Sequence, residues 1–132
     1  MPQSIPQLPA SFYDEIENLS DTEIATTALW PFVEGSVTRE ELQTIVSETL
    51  SFPTPVKHIS ENVHVLELFH GPTMAFKDVG ARFMSRCLSR FVEKDSETTV
   101  LVATSGDKGS AVAHGFANVE GIKVKLLFPN GK

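Results

Sequence analysis

The sequence predicts an α/β protein: a helical lead-in over about residues 1–60, followed from about 61 to 132 by an α/β region that contains a βαβ unit with a parallel sheet. Three observations predict it. A capping box, Thr38 with Glu41, precedes an apolar stripe at helical spacing. TTVLVAT at 98–104 is an uncharged, β-branched run of the kind that forms a strand covered on both faces. A helix-length segment separates it from a second strand-like run, IKVKLLF at 122–128, and strand, crossover helix and strand within about thirty residues make a parallel βαβ unit. With 132 residues the chain holds one compact domain at most.

The proline-rich start, MPQSIPQLPA, is a loop or extended lead-in. Phe12, Ile16 and Leu19 fall at helical spacing, and Asp21 can cap a second helix carrying Ile24, Thr27 and Ala28 that Pro31 should stop. Leu42, Ile45, Val46, Thr49 and Leu50 form the stripe of the next helix. SFPTP at 51–55 breaks it, because each residue before a proline is pushed out of the helical region. Val63, Val65, Leu66, Leu68 and Phe69 read as a strand, and His70, Gly71 and Pro72 turn the chain. From Asp78 a helical pattern places Val79, Phe83, Met84, Cys87, Leu88, Phe91 and Val92 on one face and Arg82, Arg86 and Arg90 on another. Gly106 and Gly109 then lead into the crossover helix.

Composition excludes several classes. At 41% hydrophobic and 21% charged residues the chain is neither disordered nor coiled coil. Its single cysteine, Cys87, rules out an internal disulfide and fits a reducing compartment, as a small apolar residue. The first ten residues contain no Lys or Arg, so neither a secretory signal nor a transit peptide is expected, and no apolar run approaches the roughly 20 residues of a membrane span. The expected location is the cytoplasm. Net charge is −6, distributed as −8 over residues 1–66 and +2 over 67–132. That balance argues against nucleic-acid binding, whereas the mildly basic second half suits a small anionic ligand.

Two segments carry candidate chemistry. In GPTMAFKDVGARFM, Lys77 lies between Phe76 and a helix start, where partial desolvation and the positive end of the helix dipole both favour the neutral amine that attacks an aldehyde. The plainer alternative is a surface lysine beside an acidic cap. In TSGDKGSA, residues 104–111, a strand-to-helix turn offers backbone N–H groups and the hydroxyls of Thr104, Ser105 and Ser110 to a carboxylate or phosphate. Its glycines match neither the dinucleotide fingerprint nor the P-loop, and a plain tight turn is the alternative. The histidines at 58, 64, 70 and 114 show no metal-binding spacing on a predicted helix, so no metal is expected. His70 reads as a loop histidine bonding to backbone, the arginine row as a solvated helix face, and Ser105 lacks the setting of a hydrolase nucleophile.

Together, LELFHGPTMAFKDVGARFM and VLVATSGDKGSAVAHGF resemble threonine synthase, with SFPTPV, VKLLFPNGK and the helical lead-in extending the likeness over nearly the whole chain. The resemblance implies the fold type II architecture of pyridoxal 5'-phosphate enzymes, akin to the tryptophan synthase β subunit, and makes residues 61–132 part of its cofactor-binding domain. By the same resemblance Lys77 is the catalytic residue that holds pyridoxal phosphate, Asp107 lies on the cofactor side, and Thr104, Ser105, Gly106 and Lys108 bind the substrate carboxylate. Lys108 stands where the family has threonine, which keeps a backbone N–H and loses a hydroxyl. The implied reaction converts O-phosphohomoserine and water to threonine and phosphate. Family members are several times longer, so the expectation is an amino-terminal fragment that carries the lysine and does not complete the cycle alone, its partner being the missing carboxy-terminal portion of the same enzyme. A threonine synthase-like phospho-lyase shares the lysine segment and is the alternative enzyme. A non-catalytic α/β module that binds an anion or partner through TSGDKGSA is the alternative outside catalysis.

Overall fold

The computed structural model describes residues 4–93, 96–104 and 106–130, and the chain is α/β. It divides into two compact units, Met1–Leu50 and Ser51–Lys132. Among the described residues no helix is long and apolar enough to cross a membrane.

The first unit is helical. Helix α1, Ala10–Glu15, continues as a single 3₁₀ turn over Ile16–Asn18. Helix α2, Asp21–Val33, is capped by Ser20 rather than Asp21: the Ser20 hydroxyl accepts from Glu23 N, while Glu23 Oε2 accepts from Ser20 N at 2.8 Å and from its hydroxyl at 2.7 Å. Pro31 lies inside this helix and does not stop it. A proline removes its own donor and crowds the carbonyl four residues back, yet here, near the end of the helix, the ladder resumes beyond it, with Glu34 N donating to Trp30 O at 2.9 Å. Helix α3, Arg39–Thr49, has the expected capping box of Thr38 and Glu41, and buries Leu42, Ile45, Val46 and Thr49 as one stripe. It packs against α2, and Arg39 extends over the Trp30 ring, 5.7 Å from its centroid.

The second unit begins with an element the sequence did not predict. Strand β1, Val56–Ser60, pairs antiparallel with β2, Val63–Leu66. Only five residues follow the last proline of SFPTP before the turn, and His58 and Ser60 blur their apolar alternation, so the break signal hides the strand. Helix α4, Lys77–Phe91, follows a loop. Its buried residues are Asp78, Ala81 and Ser85, whereas Met84 and Phe91 of the expected apolar face are 51% and 59% exposed. The arginine row is not simply solvated either: Arg82 donates to Ser51 Oγ at 2.8 Å and lies over Phe52, and Arg86 donates to Gly115 O at 3.1 Å.

Strand β3, Thr98–Ala103, helix α5, Asp107–Phe116, and strand β4, Ile122–Leu127, complete the βαβ unit, with β3 and β4 parallel from Thr98 opposite Ile122 to Ala103 opposite Leu127. Burial alternates along both strands, so the expectation that β3 is covered on both faces is not met: Leu101 is 65% and Leu127 58% exposed. Helix α5 packs on this two-stranded sheet, and the outward positions of the strands remain open.

Candidate active site

The loop ahead of α4 is shaped by Asp78, which is 1% exposed. Its two carboxylate oxygens accept from Thr73 N at 2.9 Å and Thr73 Oγ1 at 2.7 Å. Gly71 opens the turn, with Met74 N donating to its carbonyl at 3.0 Å; a Cβ there would meet Asp78 Oδ2 at 2.5 Å and Phe52 Cζ at 3.0 Å. Asp78 N donates in turn to Ala75 O at 3.0 Å. A buried carboxylate whose bonds all run back into one loop fixes that loop to the helix it precedes. Nothing in the residue pattern distinguished Asp78 from an ordinary acidic helix start; its only sequence signal is the hydroxyl five residues upstream.

Lys77 is the first residue of α4 and is half-buried. Its Nζ lies 4.7 Å from the centroid of the Phe76 ring, which is itself 61% exposed. The amine therefore sits on a braced helix start, beside an aromatic face and at the positive end of the helix.

The turn after β3 holds the second set of candidates. Thr104 Oγ1 accepts from Gly106 N at 3.2 Å and from Gly109 N at 3.1 Å, and donates to Gly106 O at 3.3 Å. Thr104 thus braces the start of α5, whose N-cap is Gly106, and two of the N–H groups expected to face an anion are taken by its hydroxyl. Gly109 is required here, because a Cβ would collide with Thr104 Cγ2. Gly106, Asp107 and Lys108 are exposed around the first turn of α5, and Ser105 lies outside the described residues. An open cleft of about 380 Å³, lined by Ala103, Thr104, Leu127, Phe128 and Pro129, lies at the carboxyl ends of β3 and β4, where parallel α/β sheets bind ligands.

Helices α4 and α5 are locked together away from these ends. Ser85 Oγ donates to Gly115 O at 2.6 Å, beside the Arg86 bond to the same carbonyl, and a Cβ at Gly115 would lie 3.0 Å from Ala81 C and Cβ. The contact runs from about one turn beyond Lys77, at Ala81, to about two turns beyond it, at Ser85, and lies about two turns beyond Asp107. Lys77 and the Asp107–Lys108 start of α5 are therefore carried by two helices that pack directly on each other.

Other candidates have structural partners. His70 Nε2 pairs with the Glu67 carboxylate at 2.7 Å, not with backbone. Cys87 is half-buried, and desolvation pushes its thiol above the usual range, away from a reactive thiolate. Among the described residues no group of three or more His, Cys, Asp or Glu side chains converges on a metal position.

Comparison with known proteins bears on the whole of this arrangement. A family model described as the threonine synthase N terminus matches residues 1–50. The threonine synthase of Haemophilus influenzae is 43% identical over 131 residues, and that of Escherichia coli 40%, each alignment covering 99% of this chain and 30% of the relative. The crystal structure of a pyridoxal phosphate-bound threonine synthase from Brucella melitensis superposes with a TM-score of 0.92 at 34% identity, again over 99% of this chain and 30% of the other. The chain spans about 30% of the length of the curated relatives it matches. In sequence and in fold, then, it is similar over nearly its whole length to the amino-terminal portion of these threonine synthases.

Proposed function

We propose that this chain is the lysine-bearing part of a threonine synthase, a pyridoxal phosphate-dependent lyase that forms threonine and phosphate from O-phosphohomoserine and water in the cytoplasm. The observation that carries the reading is the likeness, over 99% of the chain, to a threonine synthase whose crystal structure contains pyridoxal phosphate. The residues present fit that cofactor: a half-buried amine stands on a braced helix start, and a turn with exposed backbone begins the neighbouring helix.

Lys77 Nζ would hold the cofactor aldehyde and, once released by the substrate amine, move protons between the α- and β-carbons. The cofactor would supply the electron sink for carbanion charge. Asp78 keeps the Lys77 backbone in place without spending its carboxylate on the amine. Thr104, Ser105, Gly106 and Lys108 would receive the substrate carboxylate, and Asp107 would face the cofactor. Lys108 brings a long cation where a hydroxyl would be shorter and neutral, so it supports carboxylate attraction more than orientation. Because the chain spans 30% of its relatives' length, the full cycle would need residues supplied by the carboxy-terminal portion of such an enzyme.

Reduction with borohydride after incubation with pyridoxal phosphate, followed by peptide mapping, tests the assignment. A pyridoxyl label on the Lys77 peptide, absent in Lys77→Ala, is the expected result. A label that maps elsewhere overturns it. Phosphate release from O-phosphohomoserine by the chain alone should not be sustained, and threonine rather than an oxo acid should form when the rest of a threonine synthase is supplied.

A further inference from the structure

The hairpin of β1 and β2 sets two histidines directly opposite each other. His58 and His64 are cross-strand partners, both exposed, with ring centroids 5.1 Å apart and planes inclined at 59°. Glu67 N donates to Pro55 O at 2.9 Å, which makes 55 and 67 a hydrogen-bonded position of the ladder. Three steps along, by strict alternation, 58 and 64 are a non-hydrogen-bonded pair, the kind whose side chains approach most closely. The same alternation puts Lys57, the nearest cation in the strand, on the opposite face.

His58 is also oriented. Its Nε2 lies 3.0 Å from Glu61 O, at the turn where Glu61 takes a φ of 38°. A carbonyl can only accept, so Nε2 carries the proton and Nδ1 presents its lone pair; a ring N–H held by a backbone carbonyl is how metal-ligating histidines are usually fixed. The ring spacing fits the same use. Two imidazoles sharing one tetrahedral ion at about 2.1 Å place their ring centres roughly 5 Å apart, close to the separation found here.

We propose that His58 and His64 form a two-point surface site for a late first-row divalent ion, Zn²⁺, Ni²⁺ or Cu²⁺, that clips β1 to β2. Imidazole nitrogens select these ions over Mg²⁺ and Ca²⁺, which prefer oxygen. With two protein donors, water completes the coordination. The site is independent of the reading of Lys77.

Calorimetric titration of the chain with Ni²⁺ should show one ion bound, with affinity falling roughly tenfold or more in His58→Ala and in His64→Ala, and unchanged in His114→Ala. Retained affinity in either strand variant, or a loss that follows His114, overturns the proposal. Electron paramagnetic resonance of the unaltered chain with one equivalent of Cu²⁺ gives a reading that requires no variant: coupling to two imidazole nitrogens supports the pair, and coupling to one or none overturns it.

Discussion

Asp78 and Ser20 show how much single polar side chains decide here. Asp78 is buried and receives two hydrogen bonds from Thr73. Asp78→Ala would leave the Thr73 donors without their partner and open a space beside Gly71, so urea midpoints should report a loss of about 2 kcal/mol, and labelling of Lys77 by pyridoxal phosphate should slow. At Ser20, the hydroxyl first and the backbone N–H second hold the Glu23 carboxyl below its ordinary value of 4.5. A group whose folded pKa is lowered binds protons more readily when unfolded, so its contribution is present above pH 4.5 and fades as pH falls through the folded value. Acid titration followed by helix circular dichroism should show that fading in the native chain and its absence in Glu23→Gln. The capping box of Thr38 and Glu41 was legible in the sequence because spacing defines it, whereas that of Ser20 and Glu23 was passed over for the neighbouring Asp21. Asp78 was not, since its role depends on which way a carboxylate turns.

At the scale of elements, small residues govern the contact between α4 and α5. Gly115→Ala should cost about 1–3 kcal/mol, because the new methyl would press on Ala81 backbone and side chain at 3.0 Å; thermal denaturation measures it. Helical periodicity found both helices, but marked the wrong face of α4. Hydrophobic spacing points to Phe83, Met84, Cys87 and Leu88, whereas close approach to α5 selects Ala81 and Ser85, and a stripe of small residues carries little hydrophobic signal. The β1–β2 hairpin escaped for a related reason, and with it the meeting of His58 and His64. A search for metal spacing along a helix cannot see two positions that a turn brings together.

For the whole molecule, the βαβ unit and the order of its parts were legible, because β-branched runs and glycine punctuation act locally. The degree of cover was not. A parallel strand pair normally has both faces buried, yet Leu101 and Leu127 stand 65% and 58% exposed on one face. Light scattering should therefore show concentration-dependent self-association of the chain, reduced by Leu101→Glu with Leu127→Lys.

The hydroxyl of Thr104 is fully engaged: it receives two amides and gives its proton to Gly106 O. A hydroxyl has one proton and two lone pairs, so nothing is left over for a newcomer. A carboxylate reaching this turn would therefore have to be met by the amides of Asp107 and Lys108, at the exposed first turn of α5, and not by the threonine side chain.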